Sequence, residues 1–206
     1  MTVAATTLFL IRHGLTDYVT ARRMPGWRPG IHLNDEGRAQ AAALARRLAG
    51  LDLAAVYASP LERALETAAP LAEPRGLAVQ VCRDLGDLHP GDWTGRTVAE
   101  LEGDELWSVA QSYPSGVRLP GGETFFECQA RIVARLDAIR AAHPGRAVAV
   151  VLHADPIKMA VAYYIGLPLD LFRRLTINPA SVTALSFHRF GPRLLFLNNT
   201  GDPQEQ

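Results

Sequence analysis

Arg12, His13 and Gly14 stand directly after four apolar residues, Leu8-Phe9-Leu10-Ile11. An imidazole can act as nucleophile or base, the guanidinium beside it is a fixed cation, and glycine lets backbone approach a ligand closely. The pattern returns twice. Ala54-Ala55-Val56-Tyr57-Ala58 runs into Ser59-Pro60-Leu61-Glu62-Arg63, and Ala147-Val148-Ala149-Val150-Val151-Leu152 runs into His153-Ala154-Asp155-Pro156. Each apolar run reads as a strand covered on both faces, as in a parallel sheet. Ligand crevices in open α/β sheets lie beyond the carboxyl ends of such strands, so two His and two Arg are expected to meet there. That set suits a phosphoryl group. Arg forks match its oxygens, helix N-termini add partial positive charge, and a neutral imidazole nitrogen can attack phosphorus and hold it as phosphohistidine. A leaving alkoxide then needs a proton, so a carboxylic acid must lie within reach of the bridging oxygen.

The positioning elements can be read in order. Tyr18 to His32 has no steady period and reads as a long loop whose Arg22, Arg23 and Arg28 could meet an anionic substrate. Asn34 caps a helix that Gly50 stops, with Ala41, Leu44, Ala45 and Leu48 inward. After the strand at Ala54–Ala58, Ser59 is expected as N-cap, Pro60 at the first helical position and Glu62 in a capping box, which puts Arg63 in the first turn; Pro70 and Pro74 end that helix. Leu77 to Val81 offers a strand. From Asp84 to Gly122 the pattern breaks into loop and a helix from Thr97 to about Gln111, the natural place for a cap over the crevice. Thr124 and Glu127 form a capping box for a long helix with Ile132, Leu136 and Ile139 inward and Pro144-Gly145 as its stop. Asp155 as N-cap and Pro156 at the first position start a helix that runs to Gly166. Val182 to Phe190 and Leu194 to Leu197, around Gly191-Pro192, predict a terminal antiparallel hairpin, and residues 198–206 a frayed tail. The expected fold is α/β, a doubly wound, mostly parallel sheet with helices on both faces, in one domain over 1–206 with a cap segment at about 84–122.

Composition narrows the function. At 206 residues, 48% hydrophobic and 20% charged, the chain is an ordinary globular one with zero formal net charge, so no global basic field argues for nucleic acid or membrane partners. Cys82 and Cys128 lack metal-like spacing and read as buried thiols. Neither a signal peptide at Met1–Thr7 nor a membrane span is expected, which makes the cytoplasm the default compartment. G-x-x-x-x-G-K-[ST], G-x-G-x-x-G, H-E-x-x-H and C-x-x-C do not occur, which removes the usual nucleotide-loop and zinc readings.

Leu-Ile-Arg12-His13-Gly14-x-Thr16, the run Ser59-Pro60-Leu61-x-Arg63-x-x-x-Thr67-Ala68, Gly121-Gly122-Glu123-Thr124 and the late His153 together resemble the histidine phosphatase superfamily in its phosphoglycerate-mutase-like branch, over about residues 8 to 188. The resemblance implies a phosphorylated nucleophile at His13, phosphoryl contacts from Arg12, Arg63 and His153, substrate contacts at Thr16 and Ala154, and no metal or other cofactor. It also implies a small phosphorylated substrate; a homodimer is one option for an assembly the sequence leaves open. Three departures stand out. Val19 occupies a position where many members carry Asn, Leu85-Gly86-Asp87 replaces the family's Leu-x-Glu proton donor by a shorter acid, and Leu152-His153-Ala154-Asp155 replaces Ser-His-Gly. Asp87 is thus the favoured general acid and Asp155 its rival. His89 and Asp92 are close enough in sequence to shape the surroundings of Asp87. Trp27, Trp93 and Trp107 read as packing, and His32, His143 and His188 as without role. The leading reading is a metal-independent phosphatase acting through phospho-His13. A phosphoglycerate-type mutase, which needs a more basic cap, and a non-catalytic phospho-ligand binder are the alternatives.

Overall fold

The computed structural model describes residues 5–201. In chain order the strands are β1 (Thr6–Arg12), β2 (Leu53–Ala58), β3 (Val79–Val81), β4 (Ala147–Leu152), β5 (Val182–His188) and β6 (Gly191–Asn199). The helices are α1 (Asp17–Thr20), α2 (Asp35–Arg47), α3 (Glu62–Ala72), α4 (Val98–Leu101), α5 (Glu105–Ser112), α6 (Phe125–Ala142) and α7 (Ala154–Ile165). One mixed sheet runs in the order β3-β2-β4-β1-β5-β6. The first four neighbours are parallel, and β5 and β6 add antiparallel at one side.

Side chains alternate between two faces along each strand. Leu8 and Leu10 of β1, with Val148, Val150 and Leu152 of β4, pack against Ile132, Leu136 and Ile139 of α6 and Ile157 of α7. Ile11, Val56, Ala58 and Val151 face Leu44 of α2 and Ala64, Ala68 and Leu71 of α3. Helices therefore cover both faces, as the continuous apolar runs required.

The register decides where the chemistry sits. Arg12 lies opposite Leu152, and Ala58 opposite Val151. Three strands thus end side by side, and His13, Ser59 and His153 follow them on one edge. His13 N donates to Leu152 O at 3.0 Å and Ser59 N to Val151 O at 2.9 Å, which extends the ladder one step into the site.

Several expected boundaries moved. Asn34 caps α2 as expected, accepting from Gly37 N, but α2 ends at Arg47, before Gly50. Helix α3 starts at Glu62 with Leu61 as its cap residue, not Ser59, because the Ser59 hydroxyl is turned toward His153. Pro70 lies inside α3 rather than ending it. The helix expected over Thr97–Gln111 is two, α4 and α5, parted at Gly103 where Asp104 caps the second through Leu106 N. Helix α7 starts two residues early, with His153 as N-cap and Asp155 and Pro156 within the first turn. Strand β3 is shorter than expected, and α1 occupies the start of the long loop. Gly191-Pro192 open β6 instead of forming the hairpin turn, and Asn198 and Asn199 belong to that strand, not to a tail. Residues 1–4 and 202–206, part of the expected leader and tail readings, lie outside the described residues. Among the described residues no helix is long and apolar enough to cross a membrane.

Helix α2 meets the loop after His13 backbone to backbone. A Cβ on Gly37 would lie 2.0 Å from Leu15 O, and one on Gly14 would lie 2.6 Å from Gly37 O. Gly37→Ala should therefore cost about 1–3 kcal/mol, the usual scale of overpacking. A urea melt should show a lower midpoint at unchanged slope; an unmoved midpoint would mean that the two backbones have slack between them.

Candidate active site

The rings of His13 and His153 meet edge to face, with centroids 5.2 Å apart. His13 Nδ1 lies 2.7 Å from Gly14 O. A carbonyl only accepts, so Nδ1 carries the proton and Nε2 presents a lone pair. Burial, with only 2% of the residue exposed, pushes the His13 pKa well below its ordinary value, and the charges of Arg63 and Arg12 push it the same way. His153 is shifted down likewise, first by burial and then by Arg63, His13 and Arg12. Both imidazoles are neutral at pH 7. His153 Nε2 lies 2.8 Å from Ser59 Oγ, whose oxygen accepts from Leu61 N at 3.3 Å; with the Ser59 hydroxyl donating to Nε2, the neutral ring carries its proton on Nδ1.

Arg63, the second residue of α3, is fully buried. Its Nη2 donates to Gly26 O at 2.9 Å and to Asp87 Oδ2 at 3.0 Å. Arg12 Nη1 donates to Ile177 O at 2.7 Å. Four buried nitrogens of this site have no hydrogen-bond partner among the described residues: Arg12 Nε, Arg63 Nε and Nη1, and His153 Nδ1. Buried polar groups are nearly always satisfied, so a cluster of orphans asks for an explanation. An anion with several acceptor oxygens provides one. Thr67, from the same motif, accepts from Gly14 N at 3.0 Å and donates to Arg63 O at 2.7 Å, tying the first strand exit to α3.

The two candidate acids diverge. Burial raises the Asp87 pKa against the pull of Arg63. Its Oδ1 accepts from Leu88 N at 2.9 Å, and its Oδ2 lies 3.6 Å from His153 Nδ1. For Asp155 burial also works upward, but Lys158 at 3.4 Å and Arg173 at 4.0 Å outweigh it and the pKa is lowered. The two environments thus push the carboxyls apart, Asp87 upward and Asp155 downward.

A cavity of about 480 Å³ opens over the strand ends, lined by Arg12, His13, Asp87, Ala154, Asp155 and Lys158, with Val19, Arg22, Arg23, Met24 and Leu88 among the outer walls. Arg63 and His153 are not in that lining and are almost wholly buried. Thr16 is also fully buried, and its hydroxyl oxygen accepts from Val19 N as the cap of α1. Of the three loop arginines Arg22 and Arg23 line the cavity; Arg28 does not. Neither His89 nor Asp92 bonds the Asp87 carboxyl. The His89 ring instead stacks on Trp27 at 5.5 Å.

The Gly121-Gly122-Glu123-Thr124 run has a structural logic beyond its capping box. Gly121 has φ +63°, and a Cβ on Gly122 would lie 2.3 Å from His89 O. Glu123 accepts from His89 N at 2.8 Å and pairs with Arg131 at 2.6 Å, while Thr124 and Glu127 cap α6. Trp27 and Arg131 both bond Asp87, an involvement invisible in sequence because it runs through backbone oxygen. Trp93 and Trp107 pack on each other, with ring centroids 5.5 Å apart. His32 pairs with Glu66, His143 with Tyr57 and His188 with Ser186, all outside the cavity lining. Cys128 is buried and Cys82 partly so, and both are free thiols.

The sequence profile of the histidine phosphatase superfamily (branch 1) matches residues 8–200, and the chain belongs to that superfamily. It is 34% identical over 194 residues to glucosyl-3-phosphoglycerate phosphatase of Mycobacterium tuberculosis, covering 89% of this chain and 86% of that one. A bifunctional protein of the same organism is 36% identical over 199 residues, covering 95% of this chain and 54% of that protein, so the chain spans about half the length of the first curated relatives it matches. Among solved structures, mycobacterial glucosyl-3-phosphoglycerate phosphatase complexed with VO3 superposes with a TM-score of 0.86 at 33% identity, over 94% of this chain and 98% of that one. The alpha-ribazole phosphatase of Shigella flexneri gives 0.84 at 25% identity, over 94% and 96%.

The buried neutral imidazoles fix a pH dependence of stability. With His13 and His153 depressed in the folded chain, the unfolded chain binds more protons as pH falls through about 6.5. Stability is therefore lost below that value, at up to about 1.4 kcal/mol per pH unit for each imidazole. Urea unfolding between pH 7 and 5 should show this slope, and His13→Gln with His153→Gln should flatten it. An equally steep slope in the double variant would place the proton uptake elsewhere.

Proposed function

We propose that this chain is a phosphomonoesterase that works through a phosphohistidine at His13, with a small phosphomonoester as substrate. The observation that carries the reading is the cluster of unpartnered buried donors on Arg12, Arg63 and His153 around a neutral imidazole whose Nε2 is unprotonated. In the first step that lone pair attacks phosphorus and the bond to the ester oxygen breaks. The guanidiniums of Arg12 and Arg63 and the N–H of His153 take the equatorial oxygens, where charge develops. Asp87, its pKa raised by burial, hands a proton to the leaving oxygen. In the second step the same carboxylate takes a proton from water, which attacks the phosphohistidine, returns His13 to its neutral state and releases phosphate.

Hydrolysis is favoured over a mutase by the cap segment at 84–122. Its Arg96 bonds Glu100 O, its Arg118 pairs with Glu127, and neither lines the cavity. The arginines of such a cap offer no positive charge to retain a phosphorylated intermediate against water. The cavity lining also includes the apolar side chains of Val19, Met24 and Leu88, which suits an ester whose body is partly apolar.

Phosphate release from a panel of phosphomonoesters, measured in the presence of EDTA, tests the reading. His13→Ala should lower turnover by a factor of about 10³ or more, as removal of a covalent nucleophile does, and should abolish the phosphohistidine trapped by alkaline quench. Undiminished turnover in that variant, or stoichiometric phosphate binding with neither label nor turnover in the wild type, overturns it. Isomerisation of a phosphoglycerate in excess of phosphate release would select the mutase.

A further inference from the structure

An aspartate at position 87 has one rotatable bond fewer between backbone and acid than a glutamate would have. The position of the carboxyl is set more directly by where the backbone of residue 87 lies. That backbone is gripped from two sides. Trp27 Nε1 and Arg131 Nη2 each donate to Asp87 O at 2.6 Å, so both lone pairs of the carbonyl are engaged. Arg131 Nη1 also donates to Asp84 O at 2.9 Å and Gly86 O at 2.8 Å, gathering three carbonyls of one short segment on one guanidinium.

Each half of the grip is itself fixed. Glu123 takes Arg131 Nε at 3.0 Å and Nη2 at 2.6 Å, a two-point fork that sets the guanidinium plane. The Trp27 indole lies against Gly86, where a Cβ would come within 2.0 Å of its Cζ2, and the Arg83 guanidinium stands 5.1 Å from its ring centre. Neither Trp27 nor Arg131 lines the cavity.

We propose that Trp27 and Arg131 are positioning residues that set the reach of Asp87 to the bridging oxygen of the ester. This inference rests on Asp87 being the proton donor of the proposed reaction. Trp27 is its cleaner probe, because Trp27→Phe removes one N–H without changing charge, whereas the charge of Arg131 is also felt at His153.

A displaced acid fails selectively. An alkyl alkoxide needs its proton in the transition state; p-nitrophenolate leaves without one. The experiment compares kcat/KM, which reports the steps up to phosphoryl transfer to His13, on glycerol phosphate and p-nitrophenyl phosphate. Asp87→Asn should lose about 10²-fold or more on glycerol phosphate and little on the aryl ester. Trp27→Phe should lose about tenfold on glycerol phosphate and stay within about twofold on p-nitrophenyl phosphate, the scale expected for a misplacement of less than an ångström. Arg131→Lys, which keeps the charge facing Glu123 but cannot span three carbonyls, should shift the same ratio and serves if Trp27→Phe does not fold. Equal losses on both esters, or none, in the folded positioning variants overturn the inference while a selective loss in Asp87→Asn leaves the acid in place. A non-selective Asp87→Asn removes the acid assignment, and the positioning role falls with it.

Discussion

Arg63 is a guanidinium with no exposed surface, and the rest of the site is arranged around that fact. Taking a cation out of water costs several kcal/mol unless charge and hydrogen bonds replace the solvent. Here the replacement is partial. One nitrogen bonds Gly26 O and Asp87, and the other two have no partner among the described residues. The guanidinium field keeps His13 and His153 neutral, adding to their burial. Asp87 is held beside it, yet burial still wins over that attraction and leaves the carboxyl easier to protonate than a surface aspartate. Burial thus sets the direction of all three shifts, and the one buried cation reinforces it at the two imidazoles while opposing it at the carboxyl.

That arrangement depends on sheet topology. Strand β4 lies between β1 and β2 although it comes last of the three in sequence, and the registers bring all three carboxyl ends level. A one-residue slip would send His13 or His153 to the other face of the sheet. The packing of β1 and β4 opposes such a slip, because it would also turn Leu8, Leu10, Val148 and Val150 out of the core they fill and into the one on the other face. The precision of the site and the packing of the core are one constraint.

Legibility in the sequence follows the same division. The strand exits could be read because a doubly covered strand is continuously apolar and a polar residue ends it abruptly. Thr124 and Glu127 could be read because a capping box is local chemistry, and α6 begins where it predicts. Ser59 and Asp155 were misread for the converse reason. Both have the composition of an N-cap, but the Ser59 hydroxyl is taken by His153 across 94 residues of chain, and the carboxylate of Asp155 by Lys158 and Arg173. Tertiary partners outbid the local backbone, and no local pattern announces them. The break between α4 and α5 was hidden because the apolar positions continue across Gly103. Trp27 and Arg131 were invisible as site residues because what they hold is a carbonyl, and every residue has one.

The short side chain of the acid at position 87 ties these threads together. A shorter acid near a buried guanidinium gains less by flexing than a longer one and needs a backbone already in place. The chain meets that need with residues distant in sequence: Gly26-Trp27 from the loop after α1, Glu123 from the turn before α6, and Arg131 from α6 itself. Gly26 O accepts from Arg63 while its neighbour Trp27 bonds Asp87 O, so one dipeptide spans the buried cation and the acid it holds. Glu123 links the segment at His89 to Arg131, which in turn fixes residues 84 to 87. The long loop after the first strand is therefore not only a wall of the cavity. It is part of the frame that holds the backbone of residue 87 and the Arg63 guanidinium in place, which gives its length a physical reason that its composition alone does not disclose.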